Sequence, residues 1–92
     1  FPGKTSLFSI GGSTVTYQAV EAVRVSKGGA VVVEDAAVVR DAARLAHHGC
    51  YAELSAAATL TGLETLLHNG TVGRDETVAL IATSNGYKDW PV

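Results

Sequence analysis

Residues 30–49 read AVVVEDAAVVRDAARLAHHG, and this stretch carries the fold reading. Ala30 to Val33 is a short, continuously apolar, β-branched run of the kind found in strands covered on both faces. Glu34 and Asp35 then supply a helix cap and an acid for a first helical turn. Val38, Ala42, Leu45 and Ala46 follow at i, i+4, i+7 and i+8, with Val39 adjoining, while Arg40, Asp41 and Arg44 interrupt the apolar stripe. Gly49 sits where such a helix ends. Strand followed by helix is the expectation.

The same alternation extends in both directions. Upstream, Leu7, Phe8 and Ile10 mix with small polar residues, so residues 5–12 read as a short extended piece before a turn at Gly11-Gly12-Ser13. Tyr17, Val20 and Val23, with Ala19 and Ala22 beside them, give an apolar helical face over Val15 to Lys27, capped by Thr14 or Thr16 and stopped by Gly28-Gly29. Downstream, Cys50-Tyr51-Ala52 is a brief candidate buried strand between two helices. Ser55 can cap a helix whose Ala56, Leu60, Leu63 and Leu67 line one face, widened by Ala57, Ala58 and Leu66, until Asn69-Gly70. Thr77 to Ala82 is a second nearly continuous apolar run, with Leu80 expected in its core, and it delivers the polar loop Thr83-Ser84-Asn85-Gly86.

The predicted order is helix, strand, helix, strand, helix, strand. That order predicts an α/β class, with parallel sheet strands alternating with helices in a single piece spanning residues 1–92. Three strands make a narrow sheet, so an edge is expected to pair with further chain.

Composition narrows the functions. Hydrophobic residues make up 47% and charged residues 17% of the 92, which is dry for so short a domain and suggests a missing partner surface. Seven Lys or Arg stand against nine Asp or Glu with no basic run, which argues against nucleic acid as a partner. No apolar stretch reaches the roughly eighteen residues of a membrane span, and the opening Phe-Pro-Gly-Lys lacks the pattern of a signal peptide. No membrane partner and a cytoplasmic address are the expectations. Cys50 is the sole cysteine, which excludes an internal disulfide. His47, His48 and Cys50 are not expected to form a metal site, because neighbouring helix positions point in well-separated directions. His68, in a last helical turn, suits the helix dipole.

Ligands of open parallel sheets bind beyond the carboxyl ends of the strands, which directs attention to Glu34-Asp35, Glu53-Leu54-Ser55 and Thr83 to Gly86. The last has the richest chemistry. Thr83 and Ser84 bring hydroxyls to the end of an apolar run, and Gly86 lets backbone approach a ligand closely. An ordinary turn over Ser84-Asn85-Gly86 is the competing explanation.

The segment YAELSAAATLTGLETLLHNGTVGRDETVALIATSNGYKDW, residues 51–90, resembles the closing segment of threonine synthases and related fold type II pyridoxal-phosphate (PLP) enzymes. In that family a Glu-Pro-x-Ser-Ala start leads an alanine-rich helix, then a Glu-Thr-Val-Val strand and a Thr-Gly-x-Gly-x-Lys-Asp ending. The matching residues here are Glu53 to Ala56, Glu76 to Val78 and Thr83 to Asp89. The preceding YQAVEAVRVSKGGAVVVEDAAVVRDAARLAHHGCYAE, residues 17–53, looks like the family's Ser-x-Gly-Gly helix ending, strand and acidic helix start. Leu54 stands where the family usually has Pro, and Ser84 where many members have Gly.

The resemblance implies a partial fold type II domain, like that of the tryptophan synthase β chain, as the C-terminal part of a larger catalytic domain. It makes Thr83 the hydroxyl on the pyridine nitrogen of PLP, Ser84, Asn85 and Gly86 the loop beneath the ring, and Glu53 a carboxylate near the pocket. An acid placed simply at a helix start is an equal reading of Glu53. The family's Schiff-base lysine and phosphate-binding loop match none of Lys4, Lys27 or Lys88, so no catalytic residue is assigned. The implied activity is that of a lyase converting O-phosphohomoserine to threonine and phosphate. The implied partners are an amino-acid substrate, the remainder of the enzyme and a second subunit, and the segment alone is expected to be inactive. Threonine dehydratase, cysteate synthase and diaminopropionate lyase stay open as related activities. A noncatalytic α/β interaction domain with exposed apolar edges is the rival from another class.

Overall fold

The computed structural model describes Thr5, Leu7, Ile10 and residues 15–89. Three helices organise it: α1 at Tyr17–Ser26, α2 at Asp35–His47 and α3 at Leu54–His68, followed by a short 3₁₀ turn at Gly86–Asp89. The expected turn at Gly11-Gly12-Ser13, and Thr14 as a cap, lie outside the described residues.

The helix boundaries follow local chemistry. Thr16 caps α1, its hydroxyl accepting from the Ala19 amide. The helix then stops one residue before the Gly-Gly pair, because Lys27 itself takes a left-handed conformation with φ 59° and the Gly28 amide donates back to the Val23 carbonyl. At α2, Asp35 is the first-turn acid, but Glu34 occupies the cap position without a side-chain capping bond. Gly49, at φ 89°, makes the left-handed exit that a side chain would oppose. In α3 the helix starts ahead of the predicted cap: Glu53 is the N-cap residue and Ser55 lies inside the first turn.

The core sits between α2 and α3. Val38 and Ala57 are fully buried and meet Leu7, Leu54 and Ala58, with Val33, Ala42 and Leu45 packed against them. Ala57 and Ala58 have small side chains that let the two helix backbones approach, which is what an alanine-rich face provides. The buried stripe of α3 runs Leu54, Ala57, Ala58, Thr61, at i, i+3, i+4 and i+7. The expected leucine face is half-buried: Leu60, Leu63 and Leu67 lie beside this stripe. Ahead of α2, the Thr5 hydroxyl donates to Asp35 Oδ1 at 2.6 Å and places Leu7 over the core.

The α/β parallel-sheet expectation is overturned. Among the described residues there is no sheet, and the only strand-like pairing is the isolated antiparallel bridge Ala52↔Asn85. Ala30 to Val33 and Thr77 to Ala82 run without ladder partners, and Val32 and Ile81 are 81% and 72% exposed. Leu80, expected in a core, is 39% exposed. The partial fold type II domain is corrected with it, since its strands were these same runs. The physical reason is that a β-branched run makes a strand only when a neighbouring backbone accepts and donates its hydrogen bonds. Cys50-Tyr51-Ala52 likewise forms one bridge instead of a strand. α1 has no buried residue, and its Tyr17, Val20 and Val23 face solvent.

Candidate functional site

The bridge brings two distant parts of the chain together. The Glu53 amide donates to the Ser84 carbonyl at 3.0 Å, and the Gly86 amide donates to the Tyr51 carbonyl at 2.9 Å, flanking the Ala52 and Asn85 pair. Residues 84–86 are thereby fixed against the start of α3. Of the five residues singled out in the sequence, Glu53, Ser84, Asn85 and Gly86 converge here, and Thr83 is the next residue along the chain.

Their surroundings differ. Glu53 is 4% exposed and Gly86 is buried, whereas Ser84 is half-buried and Thr83 and Asn85 are exposed. The Asn85 Oδ1 accepts the Tyr87 amide at 3.0 Å, a local turn that orients the side chain back to its own backbone. Chemically, the loop offers two hydroxyls able to donate or accept, beside a nearly buried carboxylate. Among the described residues, no three His, Cys, Asp or Glu side chains are placed to hold an ion. Nor is any helix of the described residues long and apolar enough to cross a membrane.

Two features escaped the sequence reading. Tyr51 was legible only as part of a brief strand, yet its ring lies directly on the Gly86 backbone. A Cβ built at Gly86 would overlap Cε1 of that ring and stand 2.6 Å from Cζ and 2.7 Å from Cδ1. The Tyr51 ring also meets Tyr87 edge to face, with centroids 5.1 Å apart.

The second is a polar network between α2 and α3. Asp41 is fully buried; its Oδ2 accepts from the Thr61 hydroxyl at 2.7 Å and its Oδ1 from Arg44 Nη1 at 2.9 Å, with Arg40 Nε at 3.4 Å. Arg44 also reaches Glu64 at 3.1 Å. Burial pushes the Asp41 carboxyl up, but the hydrogen bonds from Thr61, Arg44 and Arg40 outweigh it and hold the carboxyl below its ordinary value. The Arg44 guanidinium is raised by its bonds to Asp41 and Glu64. Asp41 interrupting an apolar stripe was the available signal; its partner Thr61 was not. This network holds the helices together and lies apart from the Thr83 loop in the hydrogen-bond pattern.

Comparison with known proteins adds a relationship. The chain is 35% identical over 81 residues to threonine synthase of Methanocaldococcus jannaschii and 39% identical over 83 residues to threonine synthase of Methanosarcina acetivorans. The chain is similar to threonine synthases. Each match covers 87% of this chain and 20% of the relative, so the chain spans about a fifth of the length of these enzymes. No family model matches the chain, and no solved structure matches it.

Proposed function

We propose that the chain is the C-terminal part of a PLP-dependent lyase of the threonine synthase type, in which the Thr83 to Gly86 loop and Glu53 border the cofactor. The similarity to two threonine synthases across 87% of the chain carries this reading. The pairing of Ser84, Asn85 and Gly86 with the backbone of residues 51–53 supports it, because it gathers those residues beside Glu53.

The donor chemistry fits the cofactor. The exposed Thr83 hydroxyl is available to the pyridine nitrogen, and a neutral hydroxyl, unlike a carboxylate, does not favour protonation there. Ser84 and Gly86 shape the loop beneath the ring, Asn85 Oδ1 accepts the Tyr87 amide, and Glu53 contributes a carboxylate at the rim. When bound, PLP supplies an electron sink for carbanion chemistry. The proposed reaction takes O-phosphohomoserine and water to threonine and phosphate. Residues that hold the phosphate and anchor the cofactor covalently belong to the rest of the enzyme, which also covers the exposed apolar residues of α1 and of the 77–82 run.

The test is the visible absorbance of the full-length protein before and after borohydride reduction, followed by assay of phosphate release from O-phosphohomoserine. A reducible chromophore with phosphate release is expected. A protein with no chromophore would overturn the reading and favour a noncatalytic interaction module; a chromophore with release of ammonia from threonine instead would reassign the substrate.

A further inference from the structure

The Tyr51 ring occupies a position that the candidate site depends on. Gly86 is buried, and the space where its side chain would be is filled by ring atoms of Tyr51. The contact is reinforced on both sides. Backbone bonds join Tyr51 to Gly86 and Glu53 to Ser84, and the Tyr87 ring packs edge-on against the same tyrosine. Behind the pair lies an apolar hollow of about 170 Å³ bordered by Tyr51, Gly86, Leu54 and the α2 residues Val39, Ala42 and Ala46.

We propose that Tyr51 is a positioning residue that sets the path of the Thr83 to Gly86 loop, with Gly86 required because only a residue without a Cβ admits the ring. The consequence for ligand binding rests on the PLP reading above: with the ring in place, the Thr83 and Ser84 hydroxyls are held at a fixed offset from Glu53. The three atoms nearest the Gly86 side-chain position are ring carbons, so the role is assigned to the aromatic surface. A Cβ at Gly86 overlaps the ring, so the 46% exposed Tyr51 side chain must move off the loop and out of its edge contact with Tyr87, and the loop loses its stop.

The experiment compares Tyr51→Phe, Tyr51→Ala and Gly86→Ala in the full-length protein. The first readout needs no cofactor: hydrogen exchange of the Gly86 and Glu53 amides, the two donors of the bridge. Tyr51→Ala and Gly86→Ala are expected to speed both by about tenfold through local opening, while Tyr51→Phe leaves them at the parent rate. The second readout is the absorbance maximum and affinity for added PLP, expected to shift in Tyr51→Ala and Gly86→Ala and to be preserved in Tyr51→Phe. Parent-like exchange in Tyr51→Ala, or equal damage from Phe and Ala, overturns the proposal. Faster exchange with parent-like cofactor properties overturns the positioning role. An unaltered protein that binds no PLP sinks the site reading instead, and exchange alone then decides what Tyr51 does.

Discussion

The Thr61 hydroxyl donates to Oδ2 of Asp41 at 2.7 Å across the α2–α3 interface, where the carboxylate has no exposed surface. A buried charge survives only when its lone pairs are satisfied, so this bond decides whether the helix pair tolerates the acid.

Thr61→Val keeps the shape and removes the donor. It should destabilise the chain by about 1–3 kcal/mol in urea melts, the cost of an unsatisfied buried acceptor, while Thr61→Ser should recover most of the loss. Equal stability of Thr61→Val and the parent would show that Arg44 alone satisfies the carboxylate.

The pH dependence has a fixed sign. Burial opposes ionisation of Asp41, but the Thr61, Arg44 and Arg40 bonds prevail and its folded pKa is depressed. A depressed carboxyl contributes stability that is fully present above its unfolded value of about 3.9 and is lost as pH falls through the lower folded value. The parent should therefore lose stability below about pH 4, and Asp41→Asn should be less stable at pH 7 with a flatter acid limb. Thermal melts across pH 2.5 to 7 read this directly.

Helix packing gives a contrasting pair. Ala57 is fully buried between α2 and α3, whereas Ala43 is exposed on α2. Ala57→Leu should cost about 1–3 kcal/mol by overpacking, and Ala43→Leu should stay within about 0.5 kcal/mol of the parent. Chemical denaturation of the two variants distinguishes a close helix contact from a loose one.

Thr83 is exposed and outside the core, so its proposed role predicts a functional effect without a structural one. In the full-length protein, Thr83→Ala should lower kcat by about tenfold or more, equivalent to about 1.4 kcal/mol, with little change in melting temperature. Thr83→Ser should retain activity through its hydroxyl. Unchanged kinetics in Thr83→Ala would remove the hydroxyl from the site.

The helices were legible because their information is local. Thr16 three residues before Ala19, the apolar spacing through Val38, Ala42 and Leu45, and Gly49 and Gly70 beyond two helix ends together mark the segments. The polar loop at Thr83 to Gly86 was legible for the same reason, as an abrupt change from an apolar run. Its candidate role came from the resemblance, and the two threonine synthases match the chain at the level of overall sequence similarity.

What the residue order could not determine is which segment satisfies which. Ala30 to Val33 and Thr77 to Ala82 have the composition of buried strands, but a strand's hydrogen bonds belong to another part of the chain, and the described structure leaves both runs unladdered. Asp41 finds Thr61 twenty residues away, and Tyr51 lies over Gly86 thirty-five residues on. Sequence determined the three helices, the Thr16 cap of α1 and the chemistry available in the loop. Tertiary structure decided the pairing, because hydrogen-bond partners and ring contacts between remote residues depend on distance in space, which local periodicity does not encode.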